Sequence, residues 1–488
     1  MNKEIKYNVT QEDGKKLNGW ADVTKPMYGL YKEKPNTFIL GEHDGTIIND
    51  SRGSHIYISA STGGNKVSGP IGMSLIDWRE SAIVNDIKGD VFEITAGKRA
   101  EFSDIHVFDP FDENSQTSIN ILLEARTGVD SLSDVTIIAQ SLISEHSHGY
   151  SPKIVDNAGG LLTTVLLYIL HCETLENKNF GFAHDFISRD VWDEGFNKTM
   201  AEATLPEAKE GQSQRDVEDL QKYIREGAKR CHDFKRNEMD EIISLMLKSV
   251  VIYKDAKVMK NSTNPNFSIK NLFWSDRPQT LYLRSSDTEK ANPIFKLIYE
   301  MMFRTSFNEE PRKLPNQYTG ENAYFNGWPK LKDRNNVLCI VDEAPSFGKM
   351  SAFDNGIAFA RSFGVRVVMV AQSLSMLESV YGDSHFSNNF DVKLFLSQIM
   401  NENIEDIRRC KNKDEENGVR ETLKDEELRE VSDSGMAILT VNLNPPFKIN
   451  KTNYFKHSAF NDAAKIKYNM GTMKKETIKT DWDNISNK

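Results

Sequence analysis

The sequence predicts an α/β protein in which a parallel sheet, covered by helices on both faces, is split by a long all-helical insertion. Three observations predict it. Val337-Leu338-Cys339-Ile340-Val341 is an unbroken apolar run, and Val365-Arg366-Val367-Val368-Met369-Val370-Ala371 is nearly one. Strands apolar on both faces are what a covered parallel sheet requires. Short strand signals gather before residue 111 and return at 279. Between about 112 and 258 the apolar residues instead recur every three or four positions, which is helical spacing.

Taken in order, residues 1–16 are polar and lack the apolar core of a signal peptide. Strands are expected at 37–40, 56–59, 82–85 and 105–108. Helices follow at 134–144, 155–171, 217–229 and 237–253. Strands resume at 279–283, 337–341, 365–371, 392–396 and 437–441, with a helical stretch at 349–363. Residues 308–334, rich in Pro, Asn and Gly, read as a long irregular loop. The expected division is a nucleotide-binding domain in two parts, 1–111 and 259–460, an all-α insertion at 112–258, and a basic mobile tail at 461–488. The longest apolar run, 158–170, contains two Thr and falls short of the ~20 residues that span a bilayer, so no transmembrane segment is expected.

With 488 residues the chain is long enough for two or three domains, and 39% hydrophobic with 27% charged residues is a globular balance. Cys172, Cys231, Cys339 and Cys410 have no paired spacing and read as reduced thiols. A net charge of −10 argues against a surface coated for nonspecific DNA binding. The best local basic stretch is 221–236, with Lys222, Arg225 and Lys229 on one helical face; the plain alternative is a solvated face among Glu226 and Asp233.

Candidate chemistry sits at strand ends. Asp342 and Glu343 close the 337–341 strand, where open α/β sheets bind ligands. In P-loop ATPases such an Asp holds Mg²⁺, and the neighbouring Glu orients and deprotonates the attacking water. Gln372, at the tip of the next strand, is placed to bridge a γ-phosphate and the lytic water, as in RecA-like ATPases. A phosphate loop should then lie upstream. The segment after 56–59 reads Ala60-Ser61-Thr62-Gly63-Gly64-Asn65-Lys66-Val67-Ser68. The pattern asks for Gly, four residues, Gly-Lys and then Ser or Thr. Thr62, Gly63, Gly64 and Lys66 fit. Ala60 replaces the first Gly, Asn65 the second and Val67 the hydroxyl residue, leaving Ser68 to serve the metal. The plain alternative is an ordinary Gly-rich βα turn.

Together these motifs resemble the cytoplasmic part of type IV secretion coupling proteins, the TraG/TraD-type ATPases of conjugation. The resemblance extends through Trp78, Asp86-Ile87-Lys88-Gly89-Asp90, Val107-Phe108-Asp109-Pro110-Phe111, Asp342-Glu343-Ala344-Pro345, Ala371-Gln372-Ser373-Leu374, Val380-Tyr381-Gly382, Met436-Ala437-Ile438-Leu439 and Pro445-Pro446. It implies a RecA-like P-loop domain carrying an all-α domain, with ATP and Mg²⁺ as cofactors. It also implies a homo-hexamer with nucleotide between protomers, and a cytoplasmic position peripheral to the inner membrane. The implied partners are single-stranded DNA or a nucleoprotein or protein export substrate, the type IV channel ATPases and inner-membrane components. Lys66 would neutralise phosphate, Asp342 and Ser68 would serve Mg²⁺, Glu343 would act on water and Gln372 would sense phosphate. Arg361 would act as an arginine finger in a neighbour's site. Two other readings stay open: a nucleotide-insensitive adaptor with a vestigial phosphate loop, and another RecA-like secretion or DNA-translocating ATPase.

Overall fold

The computed structural model describes residues 30, 36–50, 52–61, 63–128, 130–189, 195–208, 213–307, 334–382, 384–396, 403–405, 407, 424–442 and 446–469. Thr62, Cys410, Pro445, the 1–16 terminus, the loop at 308–333 and the tail from 470 lie outside the described residues.

Among the described residues, one sheet of 11 strands runs in the order β2-β1-β11-β10-β9-β3-β8-β7-β4-β6-β5. The strands are β1 (Phe38–His43), β2 (Thr46–Asp50), β3 (Ile56–Ser59), β4 (Ser81–Asn85), β5 (Asp104–Phe108), β6 (Gln279–Leu283), β7 (Val337–Val341), β8 (Val365–Ala371), β9 (Val392–Phe395), β10 (Met436–Val441) and β11 (Phe447–Asn450). From β9 to β5 all neighbours are parallel, whereas β10, β11, β1 and β2 add an antiparallel edge. The central strands β3, β4, β7 and β8 are buried at every position, because successive side chains enter opposite cores. Tyr57, Ile83, Cys339 and Val367 join the core under the helical insertion, and Ile58, Val84, Ile340 and Val368 join the core on the other face.

Two strands, β2 and β11, escape the sequence reading. The β1–β2 hairpin turns at Asp44 (φ 48°) and Gly45 (φ 77°), the Asp-Gly pair that a two-residue hairpin turn prefers. β11 alternates buried and exposed residues over only four positions, too few for a clear period.

The helices of the sheet's first part are α1 (Gly72–Asp77) and α2 (Asp90–Arg99). The insertion holds α3 (Asp130–Ser144), α4 (Pro152–Cys172), α5 (Phe180–Ile187), α6 (Phe196–Ala201), α7 (Gln214–Arg230), α8 (Arg236–Val250), α9 (Ala256–Thr263) and α10 (Asn271–Trp274). Helical structure therefore continues past 258 to the threshold of β6. After β6 come α11 (Thr288–Ser306) and α12 (Ser351–Ala360).

The apolar run at 158–170 belongs to α4, which Ser151 caps by accepting from the Ile154 N–H, with Pro152 at its first position. The full helix has 21 residues, and its 18-residue apolar window has a mean hydropathy of 1.4, long and apolar enough to cross a membrane by length and composition, with 78% of that window buried within the protein. The helix extends beyond the 158–170 run at both ends, to Pro152 and Cys172. Burial against α3, α7 and α8 identifies α4 as the core helix of the insertion. Along α7, Leu220, Ile224 and Ala228 are buried while Arg225 donates to the Ala203 carbonyl at 2.7 Å, so part of the basic stretch is structural.

The basic tail read from 461 also begins too early. The helix Ser458–Ala464 continues the packed body, and Tyr468 sits edge-on to Phe92 with ring centroids 6.0 Å apart.

His55, entering β3, ties that strand to its neighbours. Its Nδ1 accepts from the Val367 N–H at 3.0 Å, so Nε2 carries the proton and donates to the Ile357 carbonyl at 2.9 Å. Burial, reinforced by Arg361, pushes its pKa from 6.5 down to about 3. Burial likewise pushes His171 down to about 3. Below pH 6.5 the unfolded chain binds protons that the folded chain refuses, so stability falls as pH drops toward 3. The limiting slope is about 1.4 kcal/mol per pH unit for each such proton. Urea midpoints measured between pH 7 and 5 should fall, and His55→Gln should fall less steeply. Equal slopes in the two proteins would refute the assignment.

Candidate functional site

The register of the parallel strands brings three chain-distant termini together. Ser59 pairs with Ala371, Val84 with Ile340, and Val341 with Met369. The loops after β3, β4 and β7 therefore open on one edge of the sheet, the C-terminal edge. There they wall a cavity of about 630 Å³, within the size range of small-molecule sites. Gly63, Gly64, Asn65, Lys66, Val67, Ser68, Asp342 and Glu343 all line it.

The phosphate loop leaves β3 with the Ala60 N–H bonded to the Ala371 carbonyl at 3.0 Å. Gly63 (φ 81°) and Asn65 (φ 65°) both take left-handed backbone, which Gly adopts freely and Asn tolerates. Asn65 thus keeps the conformation that the replaced Gly would have had. Beyond Lys66 the chain enters a π turn, Val67–Ile71, which contains Pro70. Pro70 has no N–H to offer the Lys66 carbonyl, and Ile71 donates to it instead at 3.0 Å. α1 then continues the helix.

Lys66 Nζ lies 2.6 Å from Asp342 Oδ1, joining the phosphate loop to the end of β7. Asp342 is held by backbone contacts on both sides. Asn85, at the end of β4, donates to the Asp342 carbonyl at 2.8 Å and accepts from its N–H at 2.7 Å. The Tyr299 hydroxyl donates to the Ile340 carbonyl at 2.8 Å, and burial raises its pKa so that it remains a donor. Glu343 is exposed, has φ 52° and ψ 43°, and donates its N–H to Asp342 Oδ1 at 3.0 Å. Left-handed backbone at a non-Gly residue costs on the order of 1–2 kcal/mol, and Glu343 lines the cavity beside Asp342.

The opposite wall is the turn between β4 and α2. Burial raises the Asp86 carboxyl although it accepts from the Val91 and Phe92 N–H groups at 3.1 and 2.7 Å. Lys88, Asp90 and Glu93 also line the cavity.

Ser68 is engaged differently from the prediction, and two other predicted residues fall outside the cavity. Ser68 bonds Asn65 Oδ1 rather than Asp342, so its hydroxyl is engaged within the loop, and Val67 occupies the position after the lysine. Gln372 follows β8 as expected and its carbonyl accepts from Ser59 Oγ at 2.9 Å, yet its side chain is exposed and outside the cavity lining. Arg361 lies at the N-terminal ends of the strands, across the sheet from the cavity, where Nη1 meets Asp391 Oδ2 at 3.2 Å. It does not enter this chain's own site. Sequence reasoning missed Asn85 and Tyr299. Asn85 carried a signal, a polar residue at a strand's C-terminal end, whereas nothing local marked Tyr299.

Residues 8–407 match the family described as type IV secretory system conjugative DNA transfer. The chain belongs to the family of type IV secretion coupling proteins. Among relatives of this coupling-protein chain, the conjugal transfer protein TraG of Escherichia coli is 24% identical over 364 residues, covering 73% of this chain and 53% of TraG. Protein VirD4 of Agrobacterium fabrum is 21% identical over 366 residues, covering 72% of this chain and 48% of VirD4. The chain therefore spans about half the length of these curated relatives. Among solved structures, plasmid coupling protein TrwB in complex with ADP and Mg²⁺ aligns with TM-score 0.59 at 15% identity, covering 87% of this chain and 91% of that one. TrwB in complex with the non-hydrolysable GTP analogue GDPNP aligns with TM-score 0.59 at 15% identity, covering 86% and 90%. The fold of this coupling protein is accordingly RecA-like, with a P-loop domain and an inserted all-α region.

Proposed function

We propose that this chain is the ATP-hydrolysing part of a coupling protein, which recruits DNA or protein substrates and drives them into a type IV secretion or conjugation channel. The observation that carries this reading is the Lys66–Asp342 contact across a cavity walled by a left-handed glycine loop and an acidic strand end. The Lys66 ammonium resting on Asp342 supports reading this carboxylate as one that would hold a cation at the phosphate loop. Asp342 would hold Mg²⁺, which needs one or two carboxylates beside phosphate and water oxygens and supplies neutralisation of phosphate charge when bound. Lys66 would then turn from Asp342 to the β- and γ-phosphates. Glu343, lining the cavity beside Asp342, would accept the proton of the attacking water.

Gln372 would sense phosphate after a rotamer change, and Arg361 would serve a neighbouring protomer's nucleotide, consistent with its place at the far edge of the sheet. In that arrangement nucleotide lies between protomers of a homo-hexamer at the inner membrane, with channel ATPases as partners. The adaptor reading draws on Val67 and on the engaged Ser68 hydroxyl, which leave the loop without the usual metal-serving hydroxyl.

ATP turnover of the purified chain, with and without single-stranded DNA, separates the two. Turnover that DNA stimulates is expected. Absent turnover in both conditions, with no Mg²⁺-ATP binding, would establish the adaptor instead.

A further inference from the structure

The cavity has an apolar corner. Ile94 and Tyr454 line it, and both pack on Ile76, Ala463 and Ala464. Tyr454 opens a 3-10 turn, Tyr454–Lys456, that Asn453 caps by accepting from the Phe455 N–H at 2.9 Å. The Tyr454 and Phe455 rings lie 3.9 Å apart at 37°, and Phe455 is 61% exposed.

This segment is fastened to the phosphate loop. Asn65 Nδ2 donates to the Thr452 carbonyl at 2.7 Å, and Asn453 Nδ2 donates to Asn65 Oδ1 at 3.2 Å. A Cβ on Gly69 would come within 2.7 Å of the same Thr452 carbonyl, so only glycine lets the two segments approach this closely. Asn65, where the sequence departs from the phosphate-loop pattern, is the residue that clamps the aromatic segment against the loop.

We propose that Tyr454, backed by Phe455, is the stacking platform for the base of a bound nucleoside triphosphate, held in place through Asn65. The proposal rests on the nucleotide reading of the cavity. A ring-face contact is available to every base, so adenine and guanine nucleotides bind alike. Because Asn65 belongs to the phosphate loop and touches the platform segment, base and phosphates are grasped by one connected unit.

The test compares Mg²⁺-ATP, Mg²⁺-GTP and inorganic tripolyphosphate binding to the full chain and to Tyr454→Ala and Tyr454→Trp. Tyr454→Ala should weaken ATP and GTP equally, by about ten-fold or more, and leave tripolyphosphate unchanged. Tyr454→Trp should keep the affinity, with its fluorescence quenched by ATP and not by tripolyphosphate. Unchanged ATP affinity in Tyr454→Ala, or an equal loss of tripolyphosphate, overturns the platform alone. A wild-type chain that binds none of the three overturns the nucleotide reading and the platform with it.

Discussion

Glu343→Gln is expected to hold Mg²⁺-ATP as tightly as the wild type and to lose turnover by roughly 10²–10⁴-fold, the usual contribution of a positioned general base. Gln keeps the size of the side chain and meets the same left-handed backbone, so only the proton acceptor is lost. Asp342→Ala should behave differently. It removes the carboxylate that Lys66 contacts at 2.6 Å and that the Glu343 N–H bonds at 3.0 Å, so Mg²⁺-dependent binding itself should weaken. Single-turnover kinetics beside equilibrium binding would distinguish the two variants. Equal loss of binding in both would sink the division of roles, since it would mean that the acid pair acts only as a unit of structure.

The largest stability effect should come from Asp50→Ala, far from the cavity. Asp50 ends β2 and is fully buried, with Arg366 Nη2 at 2.6 Å and Arg52 Nε at 2.8 Å. Burial works against its charge, yet Arg52, Arg366 and the Ser54 N–H outweigh it and hold the carboxyl below its ordinary range. Arg366 sits on β8, one strand from β3, and burial pushes its own pKa down to about 10. Deleting the carboxylate would strand this cation in the core. The expected loss is about 3–5 kcal/mol, the cost of breaking one partner out of a buried pair. The double variant Asp50→Ala with Arg366→Met should recover a good part of it, because the orphaned charge is gone. Urea unfolding of the two variants provides the comparison. A loss under about 1 kcal/mol in Asp50→Ala would show that water reaches the site.

The strands that end at the cavity were legible because burial on both faces leaves an unmistakable local pattern. β7 and β8 show it across every residue, even with Arg366 embedded. The acid pair was legible for a related reason, since charged residues can follow such a strand only where it leaves the core. The edge strands β2 and β11 were not, being short and half-covered. Nor did the sequence reveal that Asn65 is more than a substituted glycine. Its left-handed backbone suits Asn as well as Gly, but its side chain acts on Thr452, 387 residues away. α4 starts at Pro152 rather than at 155, and the packed helix Ser458–Ala464 runs into the segment read as tail from 461, because helix ends depend on caps and neighbours as much as on apolar spacing.

The sequence by itself determined the alternation of strands and helices, the two cores on either side of the sheet, and which residue types stand at the strand ends. Those are properties of short windows, set by backbone period and by the cost of burying charge. Tertiary structure alone decided that Lys66 meets Asp342, that Asn85 and Tyr299 fix that meeting, and that Arg361 faces away from it. It also decided that the segment from Thr452 closes over the phosphate loop. Each of these is a contact between residues remote in the chain, created by strand order and register, and no local pattern encodes which strand will lie beside which.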